Sequence, residues 1–337
     1  MNKTTFGASA YGGVGWSART DTLREEIGGL WTACGIDNEW AALRAVLLHR
    51  PGDEVAASAD DPDAVQMLEP VDGATAAAEH DAMADAFQAN GVTVHYVEPD
   101  GAPTPNQMFC ADLLFMTPEG VILARPASTV RAGEERQVAR RLADLGMPLL
   151  RALRGNAIFE GADAMWLDRE TVVIGRGLRT NSAAIDQITS VLSEMGVETL
   201  AVDMPFGTMH LMGMLRFADH DLAVAWPRRT PHAVVEALRR RDYEVAFLPE
   251  TDDHAMNRAM NFVTLGPRKI LLNAGYDVVQ DFYESLGIHC VTVRARELVK
   301  AAGGFGCLAG VLHRDPAQGN HGLRGRGKMA LYNRIML

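Results

Sequence analysis

Four segments of the chain share one pattern: an apolar run, a tight turn built from Pro, Gly, Asp or Arg, and a second apolar run. They are residues 113–126 (LLFMTPEGVILARP), 165–177 (MWLDRETVVIGRG), 214–227 (MLRFADHDLAVAWP) and 262–275 (FVTLGPRKILLNAG). Two apolar runs joined this way read as a β-hairpin. The starts, at 113, 165, 214 and 262, lie 52, 49 and 48 residues apart. A fixed period of this size is the mark of a repeat architecture. One further step lands near residue 310, where CLAGVLHRDP supplies a single strand and then turns polar. The missing partner is expected from the other end of the chain, in residues 43–51 (LRAVLLHRP).

The spacers repeat as well. Amphipathic helical stretches are expected over residues 78–91, 133–146, 181–196, 231–242 and 277–287, and four of the five end in Gly. Asn181 and Asp277 suit N-caps. A short apolar strand follows each helix: VTVHYVE, PLLRAL, VETLAVD, YEVAFLP and IHCVTV. The expected fold is therefore α/β, a five-bladed pseudo-symmetric α/β propeller whose N-terminal strand closes the ring with the C-terminal unit. A ring leaves few open sheet edges. An ordinary doubly wound sheet is the competing reading, and it does not require a register held over about 200 residues. The expected division is an N-terminal arm at 1–30, one catalytic domain at 31–316 and a basic C-terminal tail at 317–337.

Composition narrows the function. The 337 residues carry 32 basic and 43 acidic side chains, a net charge of −11, which disfavours a general nucleic-acid binder. No apolar run approaches the roughly 20 residues of a membrane span, and the N-terminus lacks a secretory h-region. Four Cys with no CxxC pair form neither a disulfide framework nor a zinc motif. The expectation is a cytoplasmic protein in a reducing compartment, with a homo-oligomer possible. No metal and no cofactor is expected, nor any nucleic-acid or membrane partner.

In a radial repeat, equivalent positions converge on the axis. The segments preceding the five hairpins are PNQMFCAD (105–112), NAIFEGAD (156–163), FGTMHL (206–211), NRAMN (257–261) and GGFGC (303–307). They place Asp112, Glu160, Asp163, His210, Asn261 and Cys307 at one phase. A thiol, an imidazole and carboxylates are the parts of covalent catalysis. Each has a plainer reading. A lone Cys is usually core, yet three glycines beside Cys307 let the backbone approach a ligand. Cys34, Cys110 and Cys290 read as structural, as do His49 and His313. His210, between Met209 and Leu211, also fits a satisfied core histidine. Glu160 and Asp163 would merely cap a turn, except that two carboxylates inside AIFEGADAMW are costly unless a cation or donors meet them. That cost points to a small cationic substrate.

The ordered set PNxxFxxD (105–112), FEGAD (159–163), RTN (179–181), HL (210–211) and GGxGCL (303–308) resembles the guanidine-modifying superfamily. That group, of pentein fold, includes arginine deiminases, dimethylargininases and arginine:glycine-type amidinotransferases. The resemblance spans roughly residues 43–315 and implies the same five-bladed propeller. It further implies that the Cys307 thiolate attacks a guanidinium carbon while His210 protonates the departing nitrogen. Glu160 would grip two guanidinium N–H groups, and Asp112 another. Arg131 and Arg179, with Arg125 a weaker candidate, would hold a substrate carboxylate; a solvated surface Arg beside Glu134 or Glu135 is the plain alternative. Phe109 suits either a cation–π partner or the core.

The activity within the superfamily stays divided at this level. Deiminases of unsubstituted guanidines usually carry an Asp two residues after the His, where this chain has Met212, which favours an N-substituted guanidine. Amidinotransferases often read D-A-A-D where this chain reads Glu160-Gly161-Ala162-Asp163. Water as acceptor gives citrulline or a related ureido product; an amine acceptor makes the protein an amidinotransferase. A catalytically dead binder of cationic amino acids is the third reading.

Overall fold

The expected hairpins and crossover strands make five units of one construction, and a computed structural model describes them over residues 7–249 and 259–317. The strands are β1 (Leu43–Leu48), β2 (Thr93–Tyr96), β3 (Leu114–Thr117), β4 (Gly120–Leu123), β5 (Leu149–Ala152), β6 (Ala164–Asp168), β7 (Thr171–Arg176) and β8 (Glu198–Asp203). There follow β9 (Leu215–Phe217), β10 (Leu222–Ala225), β11 (Glu244–Phe247), β12 (Val263–Gly266), β13 (Lys269–Asn273), β14 (His289–Val293) and β15 (Gly310–Arg314). They form five three-stranded sheets. In four sheets the first two strands are an antiparallel hairpin and the third joins the second in parallel. In the fifth, β1 takes the second place, antiparallel to β15 and parallel to β2. The N-terminal strand thus closes the ring with the C-terminal unit.

A parallel pair needs a crossover. The crossovers are α1 (Gly73–Ala89), α2 (Glu134–Asp144), α3 (Ser182–Glu194), α4 (His232–Arg239) and α5 (Asp277–Ser285). Four helices run into a glycine at φ between 74° and 77°, the left-handed turn that lets the chain reverse into its third strand. Asn181 caps α3 by accepting from the Ala184 N–H. Two ends differ from expectation. Helix α1 begins at Gly73, because the Asp72 side chain accepts from Thr75 N–H at 2.8 Å and starts the helix ahead of its apolar stripe. Asp277 lies inside the first turn of α5 rather than capping it, so its carboxylate meets the positive helix end instead.

The second strands β4 and β10 are buried throughout, whereas third strands such as β2, β5 and β14 are half-exposed under their helices. First strands face inward and touch one another. Trp166 of β6 stacks on Phe115 of β3 at 6.0 Å and donates to Met116 O at 3.2 Å. Thr264 of β12 donates to Phe217 O of β9 at 2.5 Å. Among the described residues no helix is long and apolar enough to cross a membrane. For the chain as a whole we propose the division into arm, catalytic body and tail; residues 1–6 of the arm and 318–337 of the tail lie outside the described residues.

His80, in α1, is fully buried and neither ring nitrogen has a hydrogen-bond partner among the described residues. Burial pulls its pKa from 6.5 down to about 4, so the folded protein keeps it neutral where the unfolded chain would protonate it. Stability is therefore lost as pH falls from about 6.5 toward 4. Denaturant titrations of His80→Leu should show a decline over that window shallower than wild type by about 2–3 kcal/mol; parallel curves would contradict this.

Candidate active site

The polar residues singled out by phase all sit just ahead of a first strand. Asp112 ends a 3-10 turn (Cys110–Asp112) before β3, and Glu160 precedes the turn Gly161–Asp163 before β6. His210 precedes the turn Leu211–Gly213 before β9, Asn261 lies two residues before β12, and Cys307 is on the single helical turn Phe305–Leu308 before β15. Because first strands converge, so do these turns. One cleft is lined by Phe109, Asp112, Arg131, Arg179, His210 and Cys307, together with Gln66, Asn106, Met209 and Gly303.

His210 is the hub. Its Nε2 lies 2.6 Å from Glu160 Oε2, and its Nδ1 lies 3.8 Å from Asp112 Oδ1. Burial alone would lower its pKa. Asp112, the Glu160 hydrogen bond and Asp163 outweigh that and raise it to about 9. Burial works against the Glu160 charge too, but the His210 hydrogen bond and the Arg131 and Arg179 cations hold its pKa well below the usual carboxylate range. The site thus favours an imidazolium–carboxylate pair at neutral pH.

Asp163 is buried away from the cleft lining. It accepts from Thr180 Oγ1 at 2.6 Å and from Leu211 N–H at 3.0 Å, which fixes the turn carrying His210. Burial raises its pKa to about 6. Asn261 also lies behind the cleft wall: its Oδ1 accepts from Cys307 Sγ at 3.0 Å, and its backbone O accepts from Gly306 N–H. The glycine run has steric reasons. A Cβ on Gly303 would overlap the Phe109 ring, and one on Gly306 would overlap Arg216. Phe109 is thereby pressed against the loop of Cys307, with Arg131 Cζ 5.8 Å from its ring centroid.

The arginines divide. Arg131 is buried, with Nη1 2.6 Å from Asp112 Oδ2 and with Nε and Nη2 at 2.9 and 2.8 Å from Glu134 Oε2. Its charge is spent on protein carboxylates, and Glu160 Oε2 lies a further 3.6 Å away. Arg179 reaches Glu160 through Nη1 alone, at 3.2 and 3.4 Å, and faces the cleft. Arg125 donates to Ala157 O. Of the three methionines near the histidine, Met209 lines the cleft, Met214 is core and Met212 lines a different cavity.

Asn106 and Thr180 stand in the motifs PNxxFxxD and RTN without a role assigned to them, Glu134 reads only as a surface neighbour of Arg131, and Gln66 is not anticipated at the site. Glu134 carries little signal: it stands three residues after Arg131, but Arg131 ends the 3-10 turn Thr129–Arg131 and Glu134 opens α2, so only the fold shows the pair buried rather than solvated. Asp112, Glu160 and His210 bring three possible ligand atoms within 4.8 Å of one another, a spacing that would admit a cation. The four cysteines are all free.

A family model described as N,N dimethylarginine dimethylhydrolase, eukaryotic, matches residues 63–304, ending three residues before Cys307. The chain is 24% identical over 241 residues to the N(G),N(G)-dimethylarginine dimethylaminohydrolase of Streptomyces coelicolor, covering 72% of this chain and 87% of that one. It is 24% identical over 233 residues to the uncharacterized protein YkgA of Bacillus subtilis, covering 69% and 78%. Among solved structures it resembles a dimethylarginine dimethylaminohydrolase from Pseudomonas aeruginosa complexed with citrulline, at TM-score 0.67 and 20% identity, over 80% of this chain and 98% of that one. It also resembles an inosamine-phosphate amidinotransferase from Streptomyces griseus, at TM-score 0.64 and 15% identity, over 86% and 99%. These structural likenesses establish the shared fold.

Burial pushes the Cys307 thiol up to about 11 and Asp112 adds to it, while the Gly304 backbone contact, Arg216 and Arg131 pull the other way. The free enzyme should therefore hold a neutral thiol at pH 7. Iodoacetamide alkylation of Cys307 should quicken about tenfold per pH unit from pH 7 to 10; a rate already at its plateau by pH 8 would contradict this.

Proposed function

The chain belongs to the N,N dimethylarginine dimethylhydrolase family, and from that premise we propose that it hydrolyses a guanidino compound, arginine or an N-substituted arginine, through Cys307. The observation carrying this reading is that His210, Asp112 and Cys307 line one cleft, with Glu160 fully buried behind its wall in contact with His210. A protonated imidazole, a carboxylate clamp and a thiol around one narrow cleft suit a flat cation.

In this mechanism the guanidinium lies against Asp112 and Glu160, displacing the Arg179 contact so that Arg179 turns to the substrate carboxylate. The added positive charge lowers the thiol pKa, and Cys307 releases its proton to solvent. The sulfur forms a bond to the guanidinium carbon, whose C=N electron pair moves to nitrogen. His210 protonates the nitrogen that leaves as ammonia or an amine, which yields a thiouronium on Cys307. Water, losing a proton to His210, adds to that carbon. The C–S bond breaks, the carbon-bound hydroxyl passes its proton to the departing sulfur, and the ureido product and the Cys307 thiol are released. Glu160 holds the imidazole in register throughout, and Asp163 holds the turn beneath it. Arg131 keeps Asp112 and Glu134 in place rather than receiving the substrate carboxylate.

An amidinotransferase is the second reading, favoured by Ala162 within Glu160-Gly161-Ala162-Asp163 and consistent with the fold shared with the Streptomyces griseus enzyme. Incubation with arginine and methylated arginines, with and without glycine, lysine or ornithine, followed by product mass spectrometry, separates the two. Citrulline formed without added amine supports hydrolysis; a new guanidino compound that requires the amine supports transfer. Glu160→Gln should lower kcat/KM by about 100-fold or more, and Cys307→Ala should abolish turnover. Full turnover by Cys307→Ala would overturn the covalent mechanism.

A further inference from the structure

A second cavity lies on the other side of the turn that carries Cys307. Gly306 lines this cavity and the next residue, Cys307, lines the cleft. Its walls come from first strands of four sheets: Met165 of β6, Arg216 of β9, Thr264 of β12 and Arg314 of β15 among them. It measures about 40 Å³, room for a monatomic ion or a few waters at ~10–15 Å³ each.

The charges around it do not balance. Arg216 and Arg314 are 8% and 3% exposed. Arg216 Nε donates to Met260 O at 2.8 Å and Arg314 Nη1 to Ala41 O at 2.7 Å. Arg216 Nη2 and Arg314 Nε have no hydrogen-bond partner among the described residues. Glu39 is the one carboxylate lining the cavity, and it accepts from Trp166 N–H at 3.0 Å. Among the described residues no ion pair joins Glu39 to either arginine, so two buried cations face one carboxylate across the gap. Burying charge without a contacting counter-charge is costly, and unmet guanidinium N–H groups add to that cost. Burial works against both guanidinium charges and brings Arg314 down to about 10; a guanidinium keeps its proton inside proteins.

We propose that this cavity binds one small monovalent anion of the halide class, held between the Arg216 and Arg314 guanidinium groups behind Gly306. The size admits a bare ion, and two buried guanidinium groups against one carboxylate give the lining a net positive field. Arg216 is also a cation that favours ionisation of Cys307. An anion beside it weakens that effect and makes the thiol less reactive. The site is independent of which guanidino compound the cleft accepts.

The test is chloride binding by the full-length protein, read from the excess 35Cl NMR linewidth in gluconate buffer at constant ionic strength. The inference expects saturable broadening that bromide competes away and that arginine in the cleft does not. Arg216→Met and Arg314→Met should each weaken binding about tenfold. If either variant fails to fold, Glu39→Gln decides, because removing the competing carboxylate should tighten binding several-fold. Saturating chloride should also slow Cys307 alkylation at pH 9 by about two- to threefold. Absence of protein-dependent broadening, broadening unchanged in folded arginine variants, or no tightening in Glu39→Gln would overturn the site. None of these readouts uses turnover, so they stand or fall apart from the hydrolase reading.

Discussion

Strand β1 sits between β15 and β2, antiparallel to one and parallel to the other, and so joins the two ends of the described chain. The rest of the geometry depends on that pairing. Four units are continuous in sequence, but the fifth has only its first strand at the C-terminal end. Without β1, β15 would keep only its bridge to Gly35, and the turn carrying Cys307 immediately before it would be held far less firmly relative to His210 and Glu160. Loss of the N-terminal strand would therefore remove the fixed position of Cys307 as well as core. The ring also explains why a site so rich in chemistry is built from short turns. Each turn is anchored by a buried first strand, so a few residues hold their side chains without a long loop.

Charge balance inside the ring follows from the same convergence. Turns that meet at the centre bring buried carboxylates within a few ångströms, and each needs a cation or donors. Asp112 and Glu134 are met by Arg131, Glu160 by His210 and Arg179, and Asp163 by Thr180 and the Leu211 N–H. Four carboxylates, Asp112, Glu134, Glu160 and Asp163, thus meet three bases, Arg131, Arg179 and His210, with Asp112 alone of the acids lining the cleft itself. On the other side of Gly306 the balance reverses, with Arg216 and Arg314 against Glu39. One helical turn therefore separates the cleft from a cation-rich cavity, and Cys307 stands on it.

Much of this was legible because the repeat fixes phase. Regular spacing and alternation gave every hairpin, every crossover helix and the split fifth unit, and the same phase picked out Asp112, Glu160, His210, Asn261 and Cys307. What escaped depends on facing directions that sequence spacing does not encode. Arg131 looked like a surface residue or a carboxylate receiver, yet Glu134 and Asp112 enclose it. Met212, two residues after His210, points to the second cavity rather than the cleft. The start of α1 escaped because Asp72 caps it ahead of any apolar periodicity. Arg216 and Arg314 lie within apolar strands, where a single charged residue carries no periodic signal.

The central claim is that Cys307 becomes covalently bonded to the guanidinium carbon during turnover, with His210 supplying the proton to the departing nitrogen. Rapid acid quench of the enzyme during turnover of the substrate found by product assay, followed by intact-mass and peptide mass spectrometry, reads this directly. The account predicts a mass increment equal to the substrate less its departing amine, located on the peptide containing Cys307 and absent from Cys307→Ser. Steady turnover with no adduct at any quench time, or an adduct on another residue, would contradict it.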